Sequence, residues 1–211
     1  MKFTKKDLVY SIITGLTAGI VAWRVLVFLG TTNIAGFSLF LLVLVVPVLW
    51  ILGVNLGYFL GKWMPFFNQF GKFAAIGFTN FAVDTGVLNL LIGSSGVASG
   101  IYFSVFKTIS FMAGVSHSYL WNKIWVFESS NDNKGGEIFK FLTVAVLSIL
   151  VNVGVASFIV NYVDPKFGFD DKIWANIGSV VGSAVALVFS FVGFKLLVFK
   201  KKEDALPQIP S

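Results

Sequence analysis

Long apolar runs alternate with short polar stretches along this chain, and six of the runs are long enough to cross a bilayer. They are Leu8–Leu29, Phe37–Leu60, Phe73–Ile92, Ile101–Leu120, Phe141–Val163 and Ile173–Val198. A spanning helix needs about 20 predominantly apolar residues, so the pattern predicts an all-α membrane protein of six transmembrane helices. The connections are short. Thr31–Gly36 and Ser94–Gly100 are uncharged and rich in small residues, Glu128–Glu137 contains the turn-like run Asn131–Gly136, and Asp164–Lys172 is the other polar loop. Gly61–Lys72 holds Trp63, Pro65, Phe66 and Phe67, the composition of a segment in the membrane interface. Thr4 and Asp7 have the spacing of a helix N-cap and its third helical position, which marks the start of the first helix. Pro47 lies inside the second run and predicts a kink there.

Composition agrees with this reading. Of 211 residues, 56% are hydrophobic and 12% charged, against about 25% charged in a soluble domain. The chain has no cysteine, which excludes disulfides, thiolate nucleophiles and cysteine metal sites. The sequence shows no nucleophile–base pair, metal-ligand cluster or phosphate-binding loop, so an enzyme, a metal or a cofactor is not expected. The first run is long, carries Arg24, and is not followed by the small-residue cleavage site of a signal peptide.

The net charge of +6 raises the question of nucleic acid, and the placement of the charges answers it. With the N-terminus in the cytoplasm, the inner side receives Lys2, Lys5, Lys6, Lys62, Lys72, Lys123, Lys134, Lys140, Lys195, Lys200, Lys201 and Lys202. The outer loops receive only Lys166 and Lys172. This asymmetry predicts a multi-pass membrane protein with both termini cytoplasmic. The basic residues are then topology determinants, and no nucleic-acid partner is implied.

The last four spans repeat. Lys72-Phe73 opens span three as Lys140-Phe141 opens span five, and at that offset Asp84 aligns with Asn152, Gly86 with Gly154 and Val87 with Val155. Spans four and six end on Lys123-Ile124-Trp125-Val126-Phe127 and Lys195-Leu196-Leu197-Val198-Phe199, at an offset four residues longer. Residues 70–127 and 138–199 therefore read as two helix hairpins of the same orientation. The chain divides into an N-terminal two-span extension with an interfacial linker (1–67), a four-span core (68–200) and a cytoplasmic tail (201–211).

The pattern Phe70-Gly71-Lys72-Phe73 with Gly77, Asn80 and Asp84, and the run Ser118–Phe127 containing Asn122-Lys123-Ile124-Trp125-Val126-Phe127, resemble the GtrA-like family. The second copy, through Lys195 and Phe199, fits as well. The resemblance covers about residues 68–200, and the extra N-terminal pair of spans departs from it. It implies translocation of a polyprenyl-phosphate-linked monosaccharide between the leaflets of the cytoplasmic (inner) membrane for cell-envelope polysaccharide glycosylation. A membrane glycosyltransferase would then use the lipid at the outer face.

A flippase for such a lipid needs a polar, partly cationic route, and charges inside a bilayer are costly enough to be informative. Asp84 sits near the middle of span three and Lys107 in the outer half of span four, within reach of one another by helical rise. Asn80 shares the face of Asp84, and Arg24 lies near the outer end of span one. Together with Asn122 and Lys123 these are the candidate substrate-binding residues. Each has a structural alternative. Asp84 and Lys107 neutralise each other, Arg24 snorkels to the interface, and Asn122 and Lys123 cap a helix and set topology. His117, the one histidine, is either a proton-coupling group or a packing residue. Small residues at four-residue spacing (Gly15/Gly19, Gly53/Gly57/Gly61 and Gly178/Gly182/Ala186/Ser190) allow close helix contact, within one chain or in a homo-oligomer. Two other functions stay open: a non-transporting scaffold for a glycosyltransferase, and an ion-coupled carrier of small solutes.

Overall fold

The computed structural model describes residues 2–34, 36–121, 124–125 and 135–197, and for residues 34, 135–142, 144–145 and 190–197 it describes the backbone alone. Six helices follow one another: α1 (Lys5–Phe28), α2 (Leu42–Leu60), α3 (Phe67–Ser95), α4 (Gly100–Trp121), α5 (Gly135–Tyr162) and α6 (Asp171–Leu197). The chain is an all-α membrane protein. Lys5–Phe28, Leu39–Leu60, Phe67–Ser95 and Asp171–Phe189 are long and apolar enough to cross a membrane, and Val146–Tyr162 is a shorter apolar stretch. At about 1.5 Å per residue, the 22 residues of α4 also span a hydrocarbon core of about 30 Å.

The helix starts follow from local chemistry. Thr4 caps α1 through a reciprocal capping box: its hydroxyl accepts from the Asp7 N–H, and the Asp7 carboxylate accepts from the Thr4 N–H. The expected start of span two moves. Asn33–Ile34 (β1) pairs antiparallel with Phe37–Ser38 (β2), and a 3₁₀ turn over Leu39–Leu41 leads into α2. Span three begins earlier than its apolar run suggests, because Phe67 and Phe70 already belong to α3. Gly96, at φ 72°, ends that helix in the left-handed conformation that glycine adopts without strain.

Within the core, α3 packs on α4 and α5 on α6, while α4 meets α5 and α3 touches α6. The N-terminal pair packs on α3, and α1 and α2 also pack on each other. The small-residue faces are used inside the chain. Gly15 of α1 lies directly against the backbone of Pro47 in α2. A Cβ on Gly19 would lie 2.5 Å from the Leu42 carbonyl oxygen of α2, and one on Gly182 would lie 2.6 Å from the Asn152 carbonyl oxygen of α5. Gly57 and Gly71 bring α2 and α3 together in the same way, with the Gly53 carbonyl oxygen 3.1 Å from where a Cβ on Gly71 would lie, whereas a Cβ on Gly53 itself would meet nothing within 4 Å. The end of the bundle bearing the α3–α4 and α5–α6 connections is called the hairpin end below. Leu88, Ile92, Phe103, Ala156, Val160 and Ala175 fill the core towards that end.

Candidate functional site

The two intramembrane charges meet. Lys107 Nζ donates to Asp84 Oδ2 at 2.6 Å and to Ser179 Oγ at 2.9 Å. Ser110 donates to the other carboxylate oxygen at 2.6 Å. Lys107 is fully buried and Asp84 is 5% exposed. The cluster assembles from α3, α4 and α6. Ser179 is the repeat counterpart of Lys107, so the lysine binds its own equivalent position, and its ammonium lies where the two hairpins meet.

Further polar pairs extend this cluster into a seam. Asn89 of α3 and Asn176 of α6 exchange side-chain hydrogen bonds at 2.7 and 2.8 Å. Ser104 of α4 donates to Ser157 of α5 at 2.7 Å. At the repeat offsets Asn89 corresponds to Ser157 and Asn176 to Ser104, so the two pairs interchange as a two-fold relation between the hairpins requires. Nearer the hairpin end, Asn161 accepts from the Gly100 N–H at 2.6 Å. In the second repeat, Asn152 stands where the first has Asp84. It donates to Ser183, but its buried Oδ1 accepts from nothing among the described residues. A buried acceptor without a donor is an exception that calls for a cause.

The other candidate residues are placed as follows. Asn80 does not reach Lys107; its amide oxygen meets Nδ1 of His117, about one turn towards the opposite end of the bundle. Arg24 is exposed, with its guanidinium 5.7 Å from the ring of Trp23, and it does not join the Lys107 cluster. Asn122 and Lys123 lie outside the described residues.

A second buried charge cluster has only a faint signal in the sequence. Asp7, 1% exposed, forms an ion pair with Lys72 at 2.8 Å and accepts from Tyr58 at 3.0 Å and from Trp125 Nε1 at 2.9 Å. The capping spacing marks Asp7, and the repeat marks Lys72, but nothing in the spacing joins them. The cluster ties α1, α2, α3 and the segment after α4 together.

The family model of the GtrA/DPMS transmembrane domain matches residues 72–199, the four-helix core carrying the seam. The chain belongs to this family. Membership places it among membrane proteins involved in glycosyl-lipid handling. Within the curated proteins, the chain is 27% identical over 134 residues to "Uncharacterized membrane protein YngA" of Bacillus subtilis (strain 168), a match covering 61% of this chain and 78% of that protein. No solved structure matches. The GtrA/DPMS region takes in both hairpins, and α1 and α2 lie before it.

Proposed function

We propose that the protein moves a polyprenyl-phosphate-linked monosaccharide from the inner to the outer leaflet of the cytoplasmic membrane, for glycosylation of cell-envelope polysaccharide. The observation that carries this reading is the seam of buried polar side chains between the hairpins, with one ammonium near its middle. A phosphate in hydrocarbon needs a cationic partner, whereas an uncharged sugar needs donors and acceptors. Lys107 supplies the first. Asp84, Ser179, Asn152 and the Asn89–Asn176 pair supply the second. Asp84 neutralises the lysine while the seam is empty, and the unpaired Asn152 Oδ1 is an acceptor that a sugar hydroxyl satisfies.

In this reading both termini are cytoplasmic and the hairpin end faces outward, where a membrane glycosyltransferase takes the lipid. Because the native chain has no cysteine, single replacements report the orientation. Ser95→Cys and Phe167→Cys react with an impermeant thiol reagent outside intact cells, and Met64→Cys does not. Reaction of Met64→Cys alone from outside would reverse the assignment.

The transport reading is tested with purified protein in liposomes loaded with a polyprenyl-phosphate hexose. Leaflet exposure is followed with an impermeant reagent. Acceleration over empty vesicles is the expected result. No acceleration with any hexose favours the scaffold reading, which the engagement of Asp84 and Lys107 by each other and by Ser110 and Ser179 also supports.

A further inference from the structure

We infer that the cleft at the hairpin end is a binding site for the uncharged sugar of the translocated lipid, an inference that rests on the transport reading above. The cleft has a volume of about 240 Å³ and is lined by Ser99, Gly100, Asn161, Pro165, Asp171 and Trp174 among others. It lies where the polar seam reaches the end of the bundle, with Ser104 and Ser157 about one turn below Gly100 and Asn161.

Its chemistry selects a neutral polyol over an anion. The charged group in its lining is a carboxylate, Asp171, which repels phosphate and accepts from hydroxyls. Asp171 is exposed and no hydrogen bond or ion pair engages its side chain among the described residues. The adjacent cation, Lys172, does not line the cleft; its ammonium lies 4.9 Å from the ring of Phe28. Asn161 uses one amide proton on the Gly100 carbonyl and accepts from the Gly100 N–H, leaving a second amide proton free. Trp174 is held by hydrogen bonds from its Nε1 to the Ile159 and Val163 carbonyls, so its ring is a fixed wall of the cleft. A carboxylate, an amide and a hydroxyl beside a fixed aromatic wall match the hydroxyls and C–H faces of a hexose. The phosphate then belongs to Lys107 and the sugar to the cleft, two stations of opposite charge preference.

The test uses the full chain carrying Pro165→Cys, a lining position that offers the sugar no side-chain hydrogen bond, in liposomes, with an impermeant maleimide added on the side of the hairpin end. Polyprenyl-phosphate glucose, galactose and mannose are compared in turn with sugar-free polyprenyl phosphate. The expected result is a severalfold slowing of labelling by at least one of the sugar lipids and none by the sugar-free lipid, with Asp171→Ala removing the protection. Equal protection by the sugar-free lipid, or protection by none, overturns the inference. Vesicles that flip the lipid without protecting the thiol overturn the cleft but leave transport standing. Protection without flipping sinks the transport reading and leaves the cleft as a binding site.

Discussion

Asp84→Ala destabilises the helical core by about 3–5 kcal/mol, the cost of leaving one member of a buried ion pair uncompensated. The stranded group is Lys107, fully buried, whose remaining side-chain hydrogen-bond partner is Ser179. The double variant Asp84→Asn with Lys107→Met removes both charges and keeps side chains of similar size. Replacement of a buried pair by uncharged groups is often neutral or stabilising by about 1–4 kcal/mol, so the double variant is at least as stable as the native protein. Unfolding midpoints in detergent check both statements. A double variant less stable than Asp84→Ala alone would contradict this view of the pair.

Asp7→Ala has an effect of the same order, about 3–5 kcal/mol, for a different set of reasons. It leaves the Lys72 ammonium without its carboxylate and the buried Tyr58 hydroxyl and Trp125 N–H without their acceptor. It also removes the capping box that starts α1. Asp7→Asn retains an acceptor oxygen and loses less. Because the cluster joins α1 and α2 to the core, protease sensitivity at the N-terminal pair rises before the core unfolds. An Asp7→Ala protein with native stability would show that apolar packing alone holds the extension.

Depth along a helix is legible in the sequence, and direction around it is not. Counting residues from the ends of their apolar runs places Asp84 and Lys107 within reach of one another, and they form the pair. The same counting places Arg24 in the outer part of span one, but the helix turns it outward, away from Lys107. Asn80 shares the face of Asp84, yet α4 presents His117 to Asn80 and Lys107 to Asp84. Uncharged polar residues carry no spacing signal of their own inside an apolar run. The Asn89–Asn176 and Ser104–Ser157 pairs therefore emerge only from the packing, although the repeat offsets relate them once they are seen. The Asp7 cluster is hidden because Trp125 and Asp7 are far apart in the chain. At Gly15, Gly19, Gly57, Gly178 and Gly182 the small-residue spacings mark close contacts whose partners lie within the chain, whereas the face of Gly53 is open and the side chain of Ser190 lies outside the described residues.

If Lys107 carries the lipid phosphate through the seam, the stable double variant shows it most directly. Asp84→Asn with Lys107→Met is placed in liposomes with a polyprenyl-phosphate hexose that the native protein flips, and the initial rate of leaflet exchange is compared. The expected result is a folded protein whose rate falls to that of empty vesicles. A double variant that flips the lipid at the native rate would contradict this role for Lys107.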